Sequence, residues 1–238
     1  MRVGRAVAAL ILALIATTGV SQHASALTNL RRQRKRRGGG WRPRAGQRNV
    51  IIFGPPGVGK GTQSERIEQK YGLCHVSTGD LLRREIARGS AVGKEAESYV
   101  ARGVMVPDDV IIRLVKRKLA KDEQCQRNGW LLDGFPRTAA QANAMVLAGL
   151  TPHHIIVLNA ADATVTKRVL ERARQASSAG GTVRVDDNEQ TILKRLEQYH
   201  ANRDAVLNEF DKFLRLSTID GEPSVNNVSG AVRSAIGS

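Results

Sequence analysis

Residues Asn49–Thr62 read NVIIFGPPGVGKGT, and that order constrains the fold more than anything else in the chain. A short apolar run, Asn49–Phe53, closed by Gly-Pro predicts a buried strand. A helical pattern over 60–70 follows. Gly54–Thr62 therefore joins a strand end to a helix start, the context that a phosphate-binding loop requires. Gly54, Gly57, Gly59 and Gly61 let backbone N–H groups turn inward around phosphate oxygens. The helix N-terminus adds partial positive charge. Lys60 reaches the outer phosphates, and Thr62 places a hydroxyl near a magnesium ion. The usual pattern has Ser or Thr directly after the lysine; here Gly61 intervenes. A plain Gly-Pro turn between strand and helix is the bland alternative, and the number of matched features in context argues against it.

The rest of the body repeats the alternation. Further strand candidates are Leu73–Val76, Trp130–Leu132, His154–Leu158 and Phe213–Leu216. Helical patterns cover 79–101 with a break near Gly89, then 108–121, 138–148, 162–175, 188–210 and 224–236. Strands alternating with crossover-length helices predict a parallel sheet covered on both faces. The expected class is thus α/β: a doubly wound sheet of five parallel strands flanked by helices. Gln175–Val183 (QASSAGGTV) is the one Gly/Ser-rich stretch of the body and reads as a mobile loop.

Net charge is misleading here. The chain carries 37 Lys and Arg against 22 Asp and Glu, a formal +15. Eleven of those cations lie in residues 1–48, which contain no acid; the first acidic residue is Glu65. The body is near neutral, so a nucleic-acid-binding fold does not follow from the charge. Residues 1–26 have a basic start, an apolar stretch and a small-x-small site at Ala24-Ser25-Ala26, which match a secretory signal peptide. Residues 27–48 are Arg- and Gly-rich and bury too little apolar surface to fold alone. Three readings compete: a bipartite presequence like that of complex plastids, which is favoured although Leu27 stands where Phe is preferred; a mitochondrial presequence; or a signal peptide with a basic arm. Cys74 and Cys125 are the only cysteines and are expected to be buried free thiols. Nothing after residue 48 approaches the ~20 apolar residues of a membrane span, so no stable span is expected after processing.

Three further segments follow the loop in order: STGDLLR (Ser77–Arg83), WLLDGFPRT (Trp130–Thr138) with Gln141, and RVDDNEQTILKRLEQY (Arg184–Tyr199). With GPPGVGKGTQ they make residues 49–238 resemble the adenylate kinases, a family of nucleoside monophosphate kinases. The resemblance implies ATP and AMP as substrates, ADP as product, Mg²⁺ as cofactor and a monomer. It implies that Gly57, Val58, Gly59, Lys60, Gly61 and Thr62 bind ATP together with Arg168, Arg172 and the backbone near Pro223. Thr78, Arg83, the segment Val104–Met105–Val106, Gly134, Phe135, Pro136, Arg137 and Gln141 would hold AMP, with Arg184 and Arg195. Lys60, Arg137, Arg168, Arg184 and Arg195 would surround the transferred group. Thr62 and, through water, Asp133 would hold magnesium. An AMP-binding insertion is expected over about 77–106 and a lid over about 173–187.

The residue chemistry is compatible with these roles. Arginine's planar fork suits phosphate, and an amide such as Gln141 offers both a donor and an acceptor to adenine. Thr78 or Asp80 would also serve as a helix cap, a role that leaves Arg83 unexplained. Eleven residues separate Arg172 from Arg184, none of them Cys or His, so a zinc-bearing lid is not expected. Two alternatives remain: a UMP/CMP kinase, against which Thr78 and Gln141 speak, and an inactive scaffold that uses Arg31–Arg37 to bind RNA or a membrane surface.

Overall fold

The computed structural model describes residues 48–211 and 214–237. The leader and most of the basic segment lie outside the described residues, as does Phe213.

Five strands form one sheet: β1 (Arg48–Phe53), β2 (Cys74–Ser77), β3 (Gly129–Asp133), β4 (His154–Asn159) and β5 (Arg215–Asp220). Their spatial order is β2-β3-β1-β4-β5 and every pairing is parallel. The helices are α1 (Lys60–Tyr71), α2 (Thr78–Ala87), α3 (Ala91–Ala101), α4 (Asp108–Lys121), α5 (Glu123–Asn128), α6 (Ala139–Leu147), α7 (Asp162–Ser178), α8 (Glu189–Asp211) and α9 (Val225–Ile236). β1 is central and buried on both faces, which is why its sequence is an unbroken apolar run. Alternate residues feed two separate cores. Ile51 and Phe53 pack with Val76, Leu132, Val157, Leu114 and Phe210; Val50 and Ile52 pack with Leu131, Ile156, Ile67, Val169 and Val232. The strand order reverses at β1, so a crevice opens at its C-terminal end between the loops after β3 and β4.

The structure moves several expected boundaries. β5 lies over Arg215–Asp220 rather than 213–216, because its polar end, Ser217-Thr218-Ile219-Asp220, pairs with Ile156–Asn159 along an exposed edge. Helix α5 was not expected: it is short, and Asp122 caps it by accepting from the N–H groups of Gln124 and Cys125. Helix α7 runs to Ser178, so the first half of the expected loop is helical. Backbone bonds from Gly180 to Ser177 and from Gly181 to Ala176 close its end, a glycine-based stop.

The two cysteines are not free thiols: Cys74 and Cys125 are joined, with Cα atoms 4.7 Å apart. Their reach follows from topology. Cys74 opens β2 opposite Trp130 of β3, and α5 delivers Cys125 just before β3 begins.

Candidate active site

The loop after β1 is built from backbone. Gly57 has φ +81°, and a Cβ there would stand 2.6 Å from the carbonyl oxygen of Val165, so only glycine fits. Helix α1 starts at this loop with no side-chain cap on its first amides, which leaves them for an anion. Lys60 Nζ donates to the carbonyls of Gly54 at 2.8 Å and Pro55 at 2.7 Å. Burial lowers the Lys60 ammonium to about 8; Asp133 opposes that shift, and Arg137, Arg195 and Arg172 add to it. Thr62 is exposed in the first turn of α1.

A pocket opens beside the loop. Thr78, Arg83, Val104, Met105, Val106, Gly134, Arg137, Gln141, Asp186 and Arg195 are among its walls. Phe135 and Pro136, which follow Gly134, are buried, with Phe135 in the core. Ser77, not Thr78 or Asp80, caps α2 by accepting from the Asp80 N–H. Thr78 is thereby free to donate its hydroxyl to Gly134 O at 2.8 Å, tying the ends of β2 and β3 together. Asp80 pairs with Arg83 at 2.5 Å, which offsets the cost of a cation near a helix start. Gly134 has φ +76° and lies between Thr78 and Arg137, with no room for a Cβ. Arg137 Nε donates to Gly134 O at 2.7 Å. Arg137 is open toward the cleft yet crowded by its walls; that crowding and then Arg195 lower its guanidinium to about 10, still a cation at neutral pH.

The remaining arginines are held by two aspartates. Arg195 Nη1 bonds Asp186 Oδ2 at 2.6 Å, and Arg83 Nη1 stands 4.0 Å from the same oxygen. Arg172 grips Asp187 with two parallel bonds of 2.8 and 2.6 Å. Both aspartates are buried, and Asp186 Oδ1 has no hydrogen-bond partner among the described residues. Desolvation lowers Arg195 and Arg184, and nearby Arg83 and Arg172 add to the effect on Arg184. Arg168 donates to the carbonyls of Gly221, Glu222 and, more weakly, Val58, linking α7 to the segment before the exposed Pro223. Asp133, at the end of β3, faces His75 Nε2 at 3.9 Å. Arg83, Arg137 and Arg195 thus line one pocket, and Lys60 lies near enough to Arg137, Arg195 and Arg172 to feel their charge.

Three acidic residues whose partners the sequence did not assign organise this cleft. Glu222 accepts from the Ala161 N–H and the Thr164 hydroxyl at the start of α7. Asp80 neutralises Arg83. Asp108 accepts from Gln141 and Thr138. Asp80 and Asp108 carried local signals: Asp80 lies three residues before Arg83 on a predicted helix, and Asp108 follows Pro107 in the first turn of another.

A family model described as adenylate kinase matches residues 52–214. The chain is 41% identical over 192 residues to an adenylate kinase of Parvibaculum lavamentivorans, spanning 79% of this chain and 91% of that one. It is 37% identical over 215 residues to an adenylate kinase of Alkaliphilus oremlandii, spanning 79% and 98%. It is 35% identical over 206 residues to a protein named adenylate kinase, chloroplastic, of Zea mays, spanning 79% and 91%.

Proposed function

The chain belongs to the adenylate kinase family, phosphotransferases acting on nucleoside monophosphates, and on that premise we propose that its cleft transfers the terminal phosphoryl group of ATP directly to AMP, reversibly, giving two ADP. The observation that carries this reading is the convergence of Arg83, Arg137, Arg195, Thr78 and Gln141 on one pocket beside the Lys60 loop. An oxygen of the AMP phosphate attacks the terminal phosphorus in line, and the bond to the bridging oxygen of the leaving ADP breaks. The attacking group is already anionic at neutral pH, so no side chain has to remove a proton. Asp186 and Asp187 therefore hold arginines and are not bases.

Catalysis then rests on positioning and on positive charge. Gly57–Thr62 and Lys60 hold the ATP phosphates. Arg83 and Arg137 hold the AMP phosphate, Thr78 and the Val104–Val106 segment flank its nucleoside, and Gln141 reads the adenine edge. Arg168, Arg172, Arg184 and Arg195 collect the charge that spreads over the transferred group. The segment about 173–187 acts as a short lid and residues about 77–106 as the AMP-binding insertion. Pro223 lies where the ATP base would meet backbone. The exposed hydroxyl of Thr62 and the carboxylate of Asp133 are hard oxygen donors of the kind Mg²⁺ takes, directly or through water. When bound, the ion draws charge from the donor phosphates.

The set of groups is complete within one chain, which supports reading the enzyme as a monomer. A coupled assay with ATP and AMP, UMP or CMP tests the reading: AMP should be the preferred acceptor, and faster turnover of UMP or CMP would overturn it. We also place the protein in a plastid, on the two-part composition of residues 1–48 and the chloroplastic relative in Zea mays. A reporter carrying Met1–Arg48 should reach plastids, and one carrying only Met1–Ala26 should enter the secretory route.

A further inference from the structure

We propose that Asp108 is a positioning residue that fixes which way the Gln141 amide points, and so sets the preference for a 6-aminopurine over a 6-oxopurine monophosphate. This rests on the reading above that Gln141 faces the base.

Gln141 is 2% exposed and lines the pocket. Its oxygen and nitrogen are nearly the same size, so shape alone does not distinguish the two orientations of the amide. Polarity does. Gln141 Oε1 accepts from the backbone N–H of Arg137 at 2.8 Å, a group that only donates. Gln141 Nε2 donates to Asp108 Oδ1 at 2.6 Å, and a carboxylate only accepts. A flipped amide would set N–H against N–H and oxygen against carboxylate.

Asp108 is itself held. Its Oδ2 accepts from the Thr138 hydroxyl at 3.1 Å, while the same Thr138 oxygen accepts from the backbone N–H of Gln141 at 3.0 Å and caps α6. Asp108 lies in the first turn of α4, where the helix dipole favours an anion. A closed ring of Asp108, Thr138 and Gln141 therefore ties α4 to α6 and defines the amide.

What remains for a ligand is one N–H on Nε2 and one lone pair on Oε1, in a fixed spatial order. Adenine presents a donor at its 6-amino group beside an acceptor at N1. A 6-oxopurine held by the same phosphate contacts presents the reverse, an acceptor at O6 beside a donor at N1. A free amide would flip to suit either; an amide locked from both ends serves one.

The test compares kcat/KM for AMP and for IMP at saturating ATP. Asp108→Ala should lower the AMP-to-IMP ratio by about tenfold, the scale of one lost hydrogen bond beside a charged group, and leave the KM for ATP unchanged. Asp108→Asn, which keeps an acceptor oxygen opposite Gln141, should restore most of the ratio. Asp108→Ser, a good residue for a helix start but too short to reach Gln141, repeats the test if the alanine variant does not fold. A folded alanine or serine variant with the original ratio overturns the inference, as does an asparagine variant as indiscriminate as alanine. Gln141→Ala, measured in parallel, separates the two claims. If it abolishes discrimination while Asp108→Ala does not, only the role of Asp108 falls. If it leaves discrimination intact, the base-reading role of Gln141 falls and this inference with it.

Discussion

The loop after β1 and the arginine side of the cleft solve the same problem by different means. The loop presents anion-binding groups through backbone: glycines, an uncapped helix start, and one lysine held by two carbonyls. The arginine side presents them through side chains that are held by carboxylates, Arg172 on Asp187 and Arg195 on Asp186. A backbone site is stiff and has a single mobile charge. A side-chain site shares its charge among several groups, each with a partner it must leave or keep. Damage to the first should be concentrated in Lys60, and damage to the second should be spread.

The sharpest break of that contrast is Lys60→Met. It should fold normally and lose about 10²–10³ in turnover, the scale seen when one preorganised charge-stabilising donor is removed. Near-normal turnover in the folded variant would show that the loop works without its lysine.

Asp186→Asn weakens the hold on Arg195 and removes a charge near Arg83. Because the remaining arginines still face the cleft, the expected loss of turnover is smaller, about tenfold. A loss equal to that of Lys60→Met would erase the difference between the two sides.

A gentler probe is pH. In the folded protein Lys60 sits at about 8, below its ordinary 10.5. Between those values the folded chain binds fewer protons than the unfolded one, so this group makes stability rise with pH across that window. The same rise removes the cation that ATP needs. The dissociation constant for ATP should therefore grow about fourfold between pH 7 and 8.5, while the denaturation midpoint receives an upward contribution from Lys60 that Lys60→Met abolishes. An ATP affinity flat over that range would place the lysine's charge outside ATP binding.

The same contrast decides what the sequence made legible. β1 and its loop were readable because each depends on neighbours along the chain: an apolar run, glycines, a lysine at a helix start. β4, buried on both faces, was readable for the same reason. β5 was misplaced because pairing with β4, not its own polar residues, determines where it lies. The pocket residues were readable as a set, through motifs matched to a family, but their partners were not. Asp108 and Gln141 are 33 residues apart, and Glu222 and Ala161 are 61 apart; no periodicity links such pairs. Ser77 displaced Thr78 as the cap because the third dimension offered Thr78 the Gly134 carbonyl just after β3. The cysteine pairing was missed because it depends on α5, a helix too short to announce itself.

That pairing matters beyond the two sulfurs it joins. Cys74 and Cys125 are 51 residues apart, and the loop they close contains α2, α3 and α4, with Arg83, Val104–Val106 and Asp108. In the chain-entropy picture a loop of this length adds about 4 kcal/mol by restricting the unfolded ensemble. The restriction falls on one half of the cleft and leaves the β1 loop and the arginine side untouched. It raises the free energy at which the insertion opens as a unit, separately from global unfolding. Amide exchange should show this directly: reduction of the bond should speed exchange across α2–α4 and leave the core of β1 and β4 protected. The segment that must fit around a monophosphate is thus fastened at its two ends while its interior keeps the freedom to adjust.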